Sequence, residues 1–248
     1  MKNFSIVLSS VAIVLAAAAL VVSVKTPCSK TAPAATASFS KEALVNILTQ
    51  NPEIINDTMQ AYQEKQREIE ERAANEALAS HADEINDSSY APFVGPENAK
   101  AVVVEFFDFS CHFCQDLAPK LEESIKANPD VKYVFKTLSF LGDASVYKAK
   151  AAMAADKQGK FYEFYTALMA NPDKRSAEEV DALAKEAGIN VDQYKTDMDS
   201  AEVQEKLNKV QQLASSIRVN GVPTVILNGK RVQAFDPAVL QDAINAAK

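Results

Sequence analysis

The chain has 248 residues, 48% of them hydrophobic, which is enough for one folded domain with an additional segment. Its net charge of −7 argues against nucleic acid as the main partner, because phosphate binding needs a concentrated basic patch. Three cysteines are too few for a disulfide-stapled scaffold, and the odd number leaves at least one outside any internal pair.

The N-terminus carries a long apolar segment. Lys2 precedes residues 4–24, FSIVLSSVAIVLAAAALVVSV, which contain no charge. A secretory apolar region usually has about 7–15 residues, whereas a membrane-spanning helix needs about 17–25. The length therefore favours an uncleaved signal anchor within residues 1–25 over a cleaved signal peptide. Both alternatives place the rest of the chain outside the cytoplasm.

Residues 26–38, TPCSKTAPAATAS, are small, polar and proline-containing, which predicts a flexible linker. Cys28 lies in this linker, where we expect an idle thiol or one that pairs between molecules. Residues 39–87 then form a predicted helical stalk. Ser40 can cap a short amphipathic helix, Asn51-Pro52 breaks it, and a long helix follows from about 53 to 81.

Apolar side chains recur along the long helix at alternating steps of four and three, which is a heptad pattern. The remaining faces of this helix are heavily charged, as in QEKQREIEERAANE. Such a narrow row cannot bury itself alone, so the pattern favours self-association through residues 39–87 over packing on the chain's own domain. The row consists of Ile55, Met59, Tyr62, Gln66, Ile69 and Ala73.

A second domain is predicted over residues 88–248. Turn-forming residues at 88–100 mark its boundary, and AVVVEFFDF (101–109) reads as a strand buried on both faces. A helix and a second strand, VKYVFKTLSF (131–140), follow and complete a parallel β-α-β unit.

The chain is predicted to be helical from about 143 to 216. A strand at 223–229, a hairpin at Asn228-Gly229 and a final helix with Asp236 as N-cap and Pro237 at its first position come last. The predicted fold class is therefore α/β, with a mixed sheet and an inserted helical subdomain, preceded by an N-terminal helical stalk.

Cys111 and Cys114 form a C-x-x-C motif directly after the first strand. A structural zinc site needs four ligands, and beyond the pair the chain offers only Cys28, His81 and unclustered carboxylates, with His112 inside the loop and having to reach back, so no metal is expected. A disulfide here closes too small a loop to stabilise much. A redox role is favoured instead, because free N–H groups at a helix N-terminus stabilise a thiolate at Cys111 and leave Cys114 one turn further in.

The segments VVVEFFDFSCHFC, FLGDASVYKAKAAMAADKQGKFYEFYTALM and GVPT occur in an order that resembles the DsbA-type, thioredoxin-fold periplasmic thiol–disulfide oxidoreductases. The resemblance spans about residues 90–248. The N-terminal LTQNPEIINDTMQAYQEKQ is similar to the oligomerisation stalks of a subgroup with ScsC-like proteins and Com outer-membrane antigens. The resemblance implies a periplasmic protein, tethered to the inner membrane by residues 4–24 if the anchor is kept.

The resemblance also assigns roles to single residues. Cys111 is the expected nucleophile and Cys114 the resolving thiol. Val222 and Pro223 match the cis-proline loop that pairs with a substrate peptide, the alternative being an ordinary trans proline at the start of an edge strand. Glu105 matches an acid that moves protons to and from Cys114, the alternative being an exposed acid at a sheet edge.

Four further side chains have more open roles. Lys132 and Lys136 share one face of the next strand, and either is a candidate charge partner for Glu105. His112 departs from the proline that many family members have after the first cysteine. An imidazolium there makes the disulfide more oxidising, whereas an exposed ring has little influence, and we expect a moderately oxidising couple. Phe113 is expected to add to an apolar, substrate-facing patch.

Three functions follow as hypotheses, none requiring a cofactor. The first is an oxidase that donates its disulfide to unfolded exported proteins. The second is an isomerase or reductase of misfolded exported proteins, kept reduced by a membrane partner. The stalk favours the second, and the partner is DsbB-like or DsbD-like accordingly. The alternative is a stalked chaperone or copper-handling module that uses the two thiolates as soft ligands.

Overall fold

A computed structural model describes residues 40–248 of the chain. The predicted signal anchor, the linker and Cys28 lie outside the described residues. Among residues 40–248, no helix is long and apolar enough to cross a membrane. The chain divides into two compact units, with the boundary between Asn56 and Asp57.

The described part of the first unit begins with helix α1, Lys41–Gln50. The Ser40 hydroxyl accepts a hydrogen bond from the backbone N–H of Ala43 at 3.2 Å, as expected for an N-cap. None of the residues of α1 is buried. Helix α2, Glu53–Ser80, starts after the break at Asn51-Pro52.

In the second unit, α2 is followed by the short helix α3, Ala82–Asn86. Met59, Tyr62 and Ile69 on α2 are all at least 40% exposed, so the apolar row is open to solvent in the single chain. The C-terminal end of α2 is not exposed in this way. Leu78 is buried there and packs with Ile85 of α3 in a core on one face of the sheet.

The sheet contains five strands in the order β1-β3-β2-β4-β5. Strands β2 and β3 are parallel, and the other neighbours are antiparallel. The first strand was not predicted, because it has only two residues and its sequence reads as a turn-rich boundary. The strands are β1 Phe93–Val94, β2 Val102–Phe107, β3 Lys132–Thr137, β4 Thr224–Leu227 and β5 Lys230–Val232.

The remaining helices connect these strands. Helix α4 links β2 to β3, five helices follow β3, and α10 closes the chain after β5. Polar N-caps begin several of them, including a capping box of Ser176 with Glu179 and an Asp236 cap before Pro237. The helices are α4 His112–Ala127, α5 Asp143–Asp156, α6 Phe161–Ala170, α7 Ala177–Glu186, α8 Val191–Met198, α9 Ala201–Ser216 and α10 Pro237–Ala247.

Alternation along the central strands divides the core between the two faces of the sheet. Val103, Phe107 and Phe135 lie in the core that includes residues of α4, α6 and α10, which we call the front face. Val104, Phe106 and Val134 lie in the core that includes residues of α3 and α9, which we call the back face. The predicted α/β fold class with inserted helices is confirmed.

Candidate active site

Cys111 lies where β2 turns into α4. It is the N-cap of that helix, with φ −84° and ψ 118°, and its backbone N–H donates to the carbonyl of Asp108 at 3.0 Å. The turn between strand and helix is tightened by Asp108, whose Oδ1 accepts from the N–H of Ser110 at 2.8 Å. The predicted strand–motif–helix order is confirmed. It places Cys111 beside the unpaired N–H groups of the first turn of α4.

Both cysteines of the motif are free thiols, and their environments differ. Cys111 is 8% exposed, whereas Cys114 is completely buried in the first turn of α4. Burial raises the pKa of the Cys114 thiol, and the neighbouring Glu105 carboxylate raises it further. Cys111 is therefore the thiol that a partner can reach, and Cys114 is protonated in the reduced pair unless a base removes its proton.

The second wall of the site is the loop before β4. The Val222–Pro223 peptide bond is cis, as the resemblance implied. The Cys111 Sγ donates to the carbonyl oxygen of Val222 at 3.4 Å. A cavity of about 180 Å³ adjoins Pro223 and is lined in part by Leu117, Thr224 and Phe235. Residues more than 100 positions apart thus meet at the cysteine pair.

Glu105 lies on β2 and faces the front core at 1% exposure, so the edge-acid alternative is wrong. The Tyr165 hydroxyl donates to its Oε2 at 3.0 Å, while Oε1 has no hydrogen-bond partner. Burial raises the pKa of Glu105 to about 8, and the hydrogen bond from Tyr165 partly opposes this rise. A carboxyl group with a pKa near neutrality can both give and take a proton.

The expectation that Lys132 or Lys136 pairs with Glu105 is wrong. Glu105 is paired in register with Phe135, and alternation turns both lysines to the back face. Lys136 Nζ donates to the carbonyl of Asp87 at 2.8 Å and lies 3.9 Å from the ring centre of Tyr90. Lys132 Nζ lies over the ring of Phe93 at 4.6 Å.

The two residues between the cysteines project outward. The His112 side chain is 80% exposed, and its Nε2 lies 3.4 Å from Asp116 Oδ2. The geometry thus corresponds to the exposed-ring alternative rather than to an imidazole held against the cysteine pair. Phe113 is 62% exposed and meets Phe235 edge to face at 6.4 Å, which creates an apolar surface beside the pair.

Sequence reasoning missed two residues of the site, Tyr165 and Asp108. Asp108 is completely buried, and its Oδ2 accepts from the N–H groups of Phe140 and Leu141 and from the Ser145 hydroxyl. An acid inside the apolar run FFDFS was a signal that could have revealed it. Tyr165 gave no signal, because its position on an amphipathic helix is typical of an ordinary core residue.

Within the part of the chain that the structure describes, no three His, Cys, Asp or Glu side chains come together in a group that could hold an ion. Near the cysteine pair, Glu105 takes a hydrogen bond from Tyr165 and His112 turns toward Asp116.

Comparison with known proteins agrees with this geometry. A family model described as Thioredoxin matches residues 87–246. The chain is 32% identical over 149 residues to a probable disulfide bond formation protein D of Bacillus cereus, covering 55% of this chain and 69% of that protein. It is also 28% identical over 155 residues to the Na(+)/H(+) antiporter NhaA 3 of Salinispora tropica. That match covers 59% of this chain and only 24% of the antiporter's length.

Solved structures show the same likeness. A thioredoxin-like oxidoreductase from Silicibacter pomeroyi superposes with a TM-score of 0.60 at 32% identity, covering 66% of this chain and 94% of that one. BcfH from Salmonella enterica Typhimurium gives a TM-score of 0.67 at 26% identity, covering 83% and 93%. The family model covers more than half of the chain, and the chain therefore belongs to the thioredoxin family, as a thiol–disulfide oxidoreductase of the DsbA type.

Proposed function

We propose that the chain forms or isomerises disulfides in exported proteins through the Cys111–Cys114 pair. The observation that carries this proposal is the placement of Cys111 at the N-terminus of α4, 3.4 Å from the Val222 carbonyl and next to a second, buried thiol. A helix N-terminus stabilises a thiolate, and a neighbouring thiol can displace whatever the first one binds.

In the oxidising direction, a substrate thiolate attacks the Cys111 sulfur of the Cys111–Cys114 disulfide. The bond between the two cysteines breaks, a bond forms between the substrate and Cys111, and Cys114 leaves with the electron pair and takes up a proton. A second substrate thiolate then attacks the substrate sulfur and releases Cys111 as a thiolate. The substrate loses two electrons, and the cysteine pair gains them.

The substrate class follows from the surface around Cys111. Phe113 and Phe235 form an exposed apolar surface on one side. Phe140 and Leu141, also exposed, lie in a loop that Asp108 ties to the Cys111 turn. Folded proteins rarely present apolar segments, so this surface suits unfolded or misfolded chains. The apolar residues 4–24 support an extracytoplasmic location, where such chains are exported and oxidised.

The predicted stalk, residues 39–87, determines in this proposal whether the protein oxidises or isomerises disulfides. Ile55, Met59, Tyr62 and Ile69 are between 40% and 58% exposed, so their apolar surface is uncovered in a single chain. Self-association through residues 39–87 buries this row and presents several cysteine pairs to one substrate. Such an arrangement favours isomerisation, with a DsbD-like membrane partner supplying electrons. A monomer favours oxidation, with a DsbB-like partner removing them.

The central test is to trap the covalent intermediate. A substrate protein with scrambled disulfides is mixed with the reduced Cys114→Ser variant, whose Cys111 thiolate attacks a substrate disulfide and releases one substrate sulfur as a thiolate. The resulting mixed disulfide persists, because the second thiol that would displace it is absent. A mixed disulfide at Cys111 is expected, and Cys111→Ser in the same background should abolish it. A Cys28→Ser variant that retains full trapping is the matched control. Trapping that depends on Cys28 instead would overturn the proposal.

The direction is tested by disrupting the apolar row. The double variant Met59→Glu with Tyr62→Glu places charges on it, and Gln60→Glu with Gln63→Glu adds the same charge at exposed positions beside it. Light scattering should show a smaller particle for the first variant only, with faster oxidation and slower isomerisation of a scrambled substrate. An unchanged particle size would contradict assembly through the stalk.

A further inference from the structure

The Glu105 carboxyl group has an unusual pair of environments for its two oxygens. Oε2 accepts one hydrogen bond, from the Tyr165 hydroxyl at 3.0 Å, and Oε1 has no partner although the side chain is buried. Both lysines of β3 are on the back face, and among residues 40–248 no cation is paired with this carboxyl group. A single neutral hydroxyl therefore orients a buried acid.

Tyr165 is itself held rigidly. It lies on α6 at 1% exposure, and its ring centre is 4.8 Å from that of Phe135 and 5.3 Å from that of Phe107. Tyr162 stacks on it at 6.1 Å with an angle of 13° between the rings. The ring thus has little freedom, and the position of its hydroxyl fixes the position of Glu105 Oε2.

We propose that Tyr165 is a positioning residue that holds Glu105 for proton exchange with Cys114, an inference that rests on the redox function proposed for the pair. With Oε2 engaged by the hydroxyl, Oε1 is the oxygen on which the exchanged proton resides. Cys114 and Glu105 are both buried on the front face of the sheet, and burial and the Glu105 charge together raise the pKa of the thiol. The thiol therefore needs a base nearby before it can attack.

The step concerned is the closure of the enzyme disulfide. In a Cys111–glutathione mixed disulfide, Glu105 Oε1 takes the proton of the Cys114 thiol. The Cys114 sulfur attacks the Cys111 sulfur, the bond to glutathione breaks, and glutathione leaves as a thiolate with the electron pair. In the reverse direction, protonated Glu105 returns the proton to the leaving Cys114 sulfur.

The Tyr165 hydroxyl favours the ionised, basic form of Glu105, because a donated hydrogen bond stabilises a carboxylate. Burial acts in the opposite direction and is the larger effect, so the pKa of Glu105 is raised on balance. The groups that face this carboxyl group are Tyr165 of α6 and Cys114 of α4, with Cys111 beyond. Removing the hydroxyl should make Glu105 a base only at higher pH.

The test uses the full-length protein in a Cys28→Ser background, so that glutathione labels only the pair. The mixed disulfide is formed with oxidised glutathione, its closure is stopped with acid, and the species are measured by mass spectrometry from pH 5 to 9. Tyr165→Phe should move the midpoint of the pH profile upward and slow closure at pH 7 by about threefold to tenfold. The rate well above the midpoint should not change.

Three comparisons separate this role from a packing effect. Tyr162→Phe removes a hydroxyl from the same helix and should leave the midpoint in place. Glu105→Gln should remove the pH-dependent limb, and Tyr165→Phe added to Glu105→Gln should have no further effect. An unmoved midpoint in Tyr165→Phe, or the same slowing in the Glu105→Gln background, would overturn the inference. A wild-type protein that never closes its mixed disulfide would overturn the proposed function itself.

Discussion

Each face of the central sheet buries a charged side chain at the middle strands, and the surroundings of Glu105 on one face differ from those of Lys136 on the other. Glu105 on the front face keeps one oxygen without a partner and lies near a reactive thiol. Lys136 on the back face donates to the Asp87 carbonyl and lies over the Tyr90 ring. The Lys136 side chain thus has a defined partner and no reactive neighbour, whereas Glu105 is only half satisfied.

The two side chains therefore differ in role: Lys136 is structural, whereas Glu105 is the group proposed to exchange a proton. Lys136 ties the segment after α3 to the sheet, and its electrostatic neighbours are Asp87, Glu84 and Lys132. Glu105 retains an oxygen without a hydrogen-bond partner, and this oxygen is the one we propose for proton exchange with Cys114. Burial raises the pKa of Glu105 to about 8 and lowers the pKa of Lys136 to about 7. The two faces should therefore respond to pH with opposite signs.

The largest expected effect is that of Glu105→Gln. In the folded protein Glu105 stays protonated up to about pH 8, whereas the unfolded chain loses this proton near pH 4.3. The contribution of Glu105 to the free energy of unfolding is therefore lost as the pH rises, by about 1.4 kcal/mol per pH unit at most. Glu105→Gln should be more stable by about 3 kcal/mol at pH 7, measured by urea unfolding at several pH values.

A Glu105→Gln variant with the same stability as wild type across pH 5 to 8 would contradict a raised pKa for Glu105 in the folded protein. Glu123→Gln, at an exposed position of α4, is the matched control and should show no such slope.

Lys136→Met should produce the opposite slope. Lys136 has a lowered pKa of about 7 in the fold and about 10.4 in the unfolded chain, so its stabilising contribution is present at high pH and is lost as the pH falls toward 7. The wild-type advantage over the variant should grow by about 1 kcal/mol per pH unit between pH 7 and 9. The closure rate of the mixed disulfide should not change in Lys136→Met. A slower closure would contradict a purely structural role for Lys136.

The smallest expected effect concerns Asp108, a buried side chain whose two oxygens accept hydrogen bonds from Ser110, Phe140, Leu141 and Ser145. Asp108→Asn replaces one of the two acceptor oxygens by an amide donor, which then meets either the Ser110 N–H or the Phe140 and Leu141 N–H groups, so the free energy of unfolding should fall by about 2 kcal/mol. The loop that carries these apolar side chains loosens. KM for an unfolded substrate should therefore rise severalfold, with glutathione reactivity retained. An unchanged KM would contradict a contribution of the loop with Phe140 and Leu141 to substrate binding.

Much of the fold was accessible from the sequence. The apolar run before Cys111, the helical stretch and the Asn228-Gly229 hairpin predicted their elements because each has a local pattern. The two-residue strand β1 has none. Its existence depends on pairing with β3, with Gly95 at φ +98° directly after it. A side chain at Gly95 would collide with the backbone of Val131.

Only part of the site was predictable from the sequence. Cys111, Cys114 and Val222-Pro223 follow from a motif and a resemblance, and the structure brings them together. The lysines beside Glu105 were misassigned because their shared parity on β3 did not reveal which face they share. Tyr165 was missed because the contact of its hydroxyl with Glu105 joins residues 60 positions apart. Side-chain partners across a core have no signature in a single sequence.

The hydrogen bond from Cys111 to the Val222 carbonyl has a further consequence. The thiol can donate only while it carries its hydrogen, so the carbonyl loses its donor as soon as Cys111 is ionised or bonded to another sulfur. An approaching polypeptide can then supply a backbone N–H in its place. The Val222 carbonyl oxygen is therefore without its thiol donor in the states of Cys111 that react, and these are the states in which a bound polypeptide can donate to it. With an isotope label on the Val222 carbonyl, its infrared frequency would report whether the Cys111 thiol is donating to it during the reaction.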